Sequence, residues 1–315
     1  MTESKQRIEA ARKAESNLWK QYDLSVKEQF IDIPTPPLQV RILEFGNPTG
    51  VPLVFVQGGL GEAIGWYSLI AHLSDDFRCI TLDRPGGGLS DGIDFLKVDV
   101  RKLAVDVLQA VLDAANLDQA VFVANSMGAW WTFQLALQAP DRVSRMILPG
   151  CPALILDTSA PFPMRLMSLP LLGRLLVKLM SPANSEKARE LPIFLGHPKE
   201  VGQRWSDIEA ETWYHFGKLP DFQRSWYTLL RRFLNLRGGN REMQITAEDL
   251  QKISQPTLFL WGKDDPFGST DSGRTAAELI SDAHIEVVGT GHLPWWDEPD
   301  KCARLIRAFV SNADK

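Results

Sequence analysis

The chain has 315 residues, 44% hydrophobic and 23% charged, an ordinary balance for one large folded domain with room for an inserted unit. Its 34 Lys and Arg against 39 Asp and Glu give a net charge of −5, so no global field gathers nucleic acid or anionic lipid, and neither is expected as a partner. Three widely separated cysteines, Cys79, Cys151 and Cys302, speak against a disulfide framework and a C-x-x-C zinc site, and fit a reducing compartment.

The first residues are polar and lack the apolar stretch of a signal peptide, and no run of ~18 apolar residues follows, so a soluble, cytoplasmic protein is expected. Residues 1–24 place Ile8, Ala11, Ala14 and Leu18 at helical spacing and predict a solvated amphipathic helix laid on the domain. Residues 26–33 and 38–45 alternate around the Pro34-Thr35-Pro36-Pro37 turn, which predicts two antiparallel strands at a sheet edge. The pattern then changes to short apolar runs at 53–56, 79–82, 120–123, 146–148, 257–260 and 285–288, with helical patterns at 99–115, 127–138 and 300–312. Apolar runs alternating with helices predict buried parallel strands in a doubly wound sheet. Between 151 and 253 this rhythm stops in favour of aromatic and arginine-rich helical patterns. The expected organisation is an α/β core over 25–150 and 254–315, with an inserted helical cap over 151–253.

The sequence Val123-Ala124-Asn125-Ser126-Met127-Gly128 joins an apolar strand directly to a helix. Small residues at 124 and 128 permit a turn sharp enough to hold Ser126 in a strained conformation, its hydroxyl aimed off the sheet edge. The same serine stands at a helix N-terminus, where the Met127 amide and the helix dipole favour negative charge; a helix-capping serine is the plainer alternative. A nucleophilic serine needs a base, and the base an orienting acid. Both types follow at later strand ends: Gly262-Lys263-Asp264-Asp265 after one apolar run, and Gly291-His292 after the next. An imidazole in a glycine-flanked loop is poorly placed for core packing.

These motifs, in the order Ser, Asp, His, resemble the α/β-hydrolase family over about residues 25–150 and 250–312. The resemblance implies an α/β-hydrolase fold and a triad of Ser126, Asp265 and His292; with no P-loop and no His-Glu-x-x-His motif in the sequence, no cofactor or metal is expected. The acid three residues beyond the strand-end glycine is Asp265, with Asp264 its less favoured neighbour. In the loop Val56-Gln57-Gly58-Gly59-Leu60-Gly61, where the family usually carries His-Gly, the resemblance implies that the Gly59 amide joins that of Met127 in an oxyanion hole. Gln57 is a departure from the pattern. The Asp83-Arg84-Pro85-Gly86-Gly87-Gly88-Leu89-Ser90 stretch resembles the family's structural D-x-P-G-x-G-x-S turn. Gly59-Leu60-Gly61-Glu62-Ala63-Ile64 approaches a dinucleotide fingerprint, but Ile64 stands in the third glycine's place, so a nucleotide is not expected.

A serine at the elbow disfavours the haloalkane dehalogenase and epoxide hydrolase activities of this fold, which use aspartate. Asn125-Ser126-Met127-Gly128 and Ala139-Pro140-Asp141-Arg142-Val143 resemble carbon–carbon bond hydrolases of meta-ring-fission products. Gln57 and Leu293 depart from that branch, and Gly291-His292-Leu293-Pro294-Trp295 looks closer to esterases and lactonases. The expected activity is hydrolysis of a carboxylic ester or lactone through an acyl-enzyme, with C–C hydrolysis as the alternative and a ligand receptor on the same fold as the non-enzymatic one. The leucine-rich stretch 161–180 is expected either to pack the cap or to form an apolar pocket. Leu60, Trp213, Trp226 and Leu293 are candidate substrate contacts, as are Trp205 and Tyr227, and Arg224, Arg231 and Arg232 are candidate partners of a substrate carboxylate.

Overall fold

The computed structural model describes residues 2–59 and 61–311. Among them, eight strands form one sheet in the order β1-β2-β4-β3-β5-β6-β9-β10. Strand β1 (Lys27–Pro34) and β2 (Pro37–Gly46) form the antiparallel edge predicted from their alternation, and β2 pairs antiparallel with β4 (Phe77–Asp83). The rest is parallel: β3 (Val51–Val56), β5 (Ala120–Ala124), β6 (Val143–Pro149), β9 (Thr257–Trp261) and β10 (Ala283–Val287). Every residue of β5 is buried, which is why it reads as an unbroken apolar run.

Helices cover both faces of this sheet. The helix Val100–Ala114 starts where the Asp99 carboxylate accepts the Arg101 and Lys102 N–H groups at 3.0 and 3.1 Å. It buries Val100, Leu103, Ala104, Val107, Leu108 and Val111, the spacing of one helical face. Helix Met127–Gln138 is buried on nearly all sides, so no amphipathic stripe marks it in the sequence. The N-terminal helix Glu3–Gln21 packs on helix Asp207–Phe216 and is tied to the sheet by a buried ion cluster. In that cluster Arg41 of β2 lies 2.7 Å from Glu15 and 3.1 Å from Asp83 of β4.

Between β6 and β9 the chain is largely helical, from Phe162–Met167 to Ala247–Gln251. The sequence pattern contains no strand here, yet a two-residue hairpin joins β7 (Leu234–Asn235) to β8 (Gly238–Gly239). Strands this short carry no readable alternation. The stretch 161–180 divides: Leu171, Leu172 and Leu175 are exposed, whereas Met164 and Met167 of the helix Phe162–Met167 and Val177 of the helix Leu172–Met180 turn inward. Among the described residues, no helix is long and apolar enough to cross a membrane.

Candidate active site

The turn from β5 into helix Met127–Gln138 puts Ser126 at φ 51° and ψ −115°, a conformation that non-glycine residues seldom adopt. The surrounding backbone over-determines it. Asn125 N–H donates to the Val56 carbonyl at 3.1 Å, and Asn125 C=O accepts the Gly128 N–H at 2.7 Å. A Cβ on Gly128 would lie 1.9 Å from the Val56 oxygen, so the helix reaches the sheet only because this residue has none. Ala124, in place of the first glycine of G-x-S-x-G, is fully buried within β5 and its methyl is accommodated.

Asp265 follows β9 and His292 follows β10. His292 Nδ1 lies 2.8 and 3.0 Å from the two Asp265 carboxylate oxygens. Asp265 is itself fixed by the Cys151 N–H at 2.8 Å and the Phe267 N–H at 2.9 Å. The Phe267 ring stacks on the imidazole at 4.0 Å between centroids. A carboxylate only accepts, so these partners assign the imidazole proton to Nδ1 and leave Nε2 as the basic nitrogen. His292 Nε2 is buried and has no hydrogen-bond partner among the described residues. Asp264, by contrast, is exposed, and the carboxylate that pairs with the histidine is that of Asp265.

Ser126 and His292 line one cavity of about 910 Å³, together with Gly58, Gly59 and Met127. The loop after β3 is held from behind by Arg84. Its Nε donates to the Gln57 carbonyl at 3.0 Å and its Nη2 to the Gly59 carbonyl, while Gly61 N–H takes the Gly58 carbonyl at 2.8 Å. In a trans peptide the N–H points opposite to the C=O, so anchoring these three carbonyls sets the direction of the loop amides. A Cβ on Gly58 would lie 2.8 Å from the Ser126 Cβ, which places the loop against the elbow. Arg84 is fully buried, and burial pulls its pKa down to about 9, against the attraction of Glu62. Glu62 also lines the cavity, and burial pushes its carboxyl up to about 7.

A sequence profile of the alpha/beta hydrolase fold matches residues 51–299, well over half of the chain. The chain belongs to the α/β-hydrolase family. A 2-hydroxy-6-oxo-6-phenylhexa-2,4-dienoate hydrolase of Comamonas testosteroni is 28% identical over 269 residues, covering 83% of this chain and 88% of that one. A carboxylesterase structure from Bacillus subtilis superposes at a TM-score of 0.77 over 98% of this chain and 99% of that one, at 17% identity. A meta-cleavage product hydrolase structure from Pseudomonas fluorescens gives 0.72 over 90% and 98%, at 22% identity. These structures share the fold with this α/β hydrolase.

Of the candidate substrate contacts, Trp213, Trp226 and Leu293 line the cavity, and Leu60 lies outside the described residues. Trp205 and Tyr227 are buried but sit outside the lining: Trp205 stacks on Trp213, and Tyr227 packs beside Arg174 and Arg231. The three arginines also lie elsewhere. Arg224 pairs with Asp221, Arg231 lies over the Tyr227 ring, and Arg232 faces Glu242. Trp130 and Trp131 are core residues, Trp130 donating to the Met243 carbonyl at 2.6 Å and Trp131 stacking on Arg84. Two further residues have no sequence signal for the place they take. Arg84 reads as part of a turn, and Asn125 Nδ2 donates to the His292 carbonyl at 3.2 Å.

Proposed function

We propose that this α/β hydrolase cleaves a neutral, apolar carboxylic ester or lactone through an acyl-enzyme. Ser126 Oγ attacks the carbonyl while His292 Nε2 takes its proton, and Asp265 orients the ring and stabilises the imidazolium. The Gly59 and Met127 amides receive the oxyanion. His292 then returns the proton to the departing alkoxide, and an activated water releases the acid. The helical segment 151–253 acts as a cap that closes the pocket.

The observation that carries the ester reading is the charge of the cavity wall. Its charged residues are Glu62, Lys187 and Glu190, and Lys187 is paired with Glu190 at 2.7 Å. The cavity that holds the serine thus has a carboxyl on its wall and no free cation among the described lining residues to receive a substrate carboxylate. Trp213, Phe216, Trp226, Phe233 and Phe267 supply an apolar, aromatic surface. The second reading, C–C hydrolysis, rests on the sequence relatives, whose named substrate is a dienoate anion. Steady-state kinetics with p-nitrophenyl esters of two to twelve carbons, against 2-hydroxy-6-oxo-6-phenylhexa-2,4-dienoate, separates the two. The ester reading expects kcat/KM for the best ester to exceed that for the dienoate by ~10-fold or more, the size of one lost charged contact. The reverse order overturns it, and binding of both without turnover favours a receptor.

A further inference from the structure

Behind the His292 loop lies a second histidine–aspartate pair. His197 comes from the segment between β6 and β9, its side chain fully buried. Its Nδ1 lies 3.0 and 3.1 Å from the Asp297 carboxylate oxygens, and its Nε2 accepts the Leu293 N–H at 3.2 Å. These partners assign the tautomer: a carboxylate demands a proton on Nδ1, and an amide donor demands a lone pair on Nε2. Two residues earlier, the Leu195 carbonyl accepts the His292 N–H at 2.8 Å. The His292 carbonyl is taken by Asn125, the neighbour of Ser126. The backbone on both sides of His292 is thus fixed by Leu195, Asn125 and His197. Asp297 braces the approach to it, accepting the Thr290 N–H at 2.7 Å and the Gly291 N–H at 3.3 Å. A Cβ on Gly291 would fall 2.5 Å from the His197 ring, so the ring lies flat on the loop.

We propose that His197 is a positioning residue for His292, acting through the Leu293 amide and joining the 151–253 segment to the reaction centre. The inference rests on the ester-hydrolase reading for its kinetic consequence. Its physical basis is that an imidazole base must stay within a fraction of an ångström of its nucleophile, and a 1 Å misplacement costs ~100-fold in rate. Without the Nε2 acceptor, the buried Leu293 N–H loses its partner and the loop relaxes to find another.

The test uses two variants that split the two bonds of the ring. His197→Gln keeps an acceptor at the position of Nε2 and loses the donor to Asp297, whereas His197→Asn keeps a donor near Asp297 and loses the acceptor for Leu293. The expected result is an inversion. In kcat on p-nitrophenyl butyrate the Gln variant stays within ~3-fold of wild type and the Asn variant falls ~10-fold or more, with KM changed less than ~2-fold in both. In thermal unfolding the Asn variant is at least as stable as the Gln variant. A purely structural role ranks kcat with stability, and that ranking, or wild-type kcat in both variants, overturns the proposal. Amide hydrogen exchange across residues 290–296 gives a readout independent of turnover: protection of the Leu293 amide is kept in the Gln variant and lost in the Asn variant. Should the wild type fail to turn over esters, the function reading falls and the exchange result alone decides for or against His197.

Discussion

Glu62 stands on the cavity wall with its carboxyl pushed up to about 7 by burial, from an ordinary value of 4.5. The folded protein therefore holds this proton to higher pH than the unfolded chain does. Stability from the proton is fully present below about 4.5 and is lost as pH rises through about 7. At 1.36 kcal/mol per pH unit the loss amounts to about 3 kcal/mol. Glu62→Gln removes the titration while keeping the shape of the protonated acid. Urea denaturation of both proteins between pH 4.5 and 8 is expected to show similar stability at the acid end. The variant then gains on wild type by about 3 kcal/mol at the alkaline end. A difference that stays constant across this range would mean that the fold does not raise the Glu62 pKa. The same ionisation has a catalytic consequence. Relative to a neutral ester, kcat/KM for an ester with a terminal carboxylate falls as pH rises through about 7 in wild type, and the Glu62→Gln variant abolishes that fall.

Two other substitutions test the architecture that holds the site. Gly128→Ala drives a methyl to 1.9 Å from the Val56 oxygen and forces helix and sheet apart, so a loss of about 3 kcal/mol or more is expected in thermal unfolding. Gly59→Ala meets open space and carries only the strain of φ +55°, about 1 kcal/mol, so it folds. Equal losses in the two would show that the elbow is not limited by this contact. Arg41→Met strands the buried carboxylates of Glu15 and Asp83, and a cost of about 3–5 kcal/mol is expected in the same assay. An unchanged midpoint would mean that the cluster contributes nothing.

The fold was legible where burial imposes a simple period. Strands β3, β5, β6 and β9 are covered on both faces, so they appear as apolar runs, and the alternation of β1 and β2 marks the antiparallel edge. The elbow was legible because only small residues pass between helix and sheet, and the candidate residues Ser126, Asp265 and His292 follow strands that the apolar runs announce. Other features depend on what the chain meets in space. The leucines of Leu172–Met180 have a clear helical period, but a period does not say which face is covered, and Leu172 and Leu175 turn out exposed. The arginines 224, 231 and 232 follow the same rule, each finding a local carboxylate or ring outside the cavity. His197 meets a loop 96 residues further along, and no local pattern signals such a contact.

Hydrolysis at this site requires Ser126 to be an activated nucleophile. Intact-protein mass spectrometry after exposure to a fluorophosphonate probe tests it directly, with wild type and Ser126→Ala compared under the same conditions. One covalent adduct on wild type and none on a folded Ser126→Ala is the predicted result. An unlabelled wild type, or an adduct that persists in the variant, would mean that Ser126 is not the activated nucleophile.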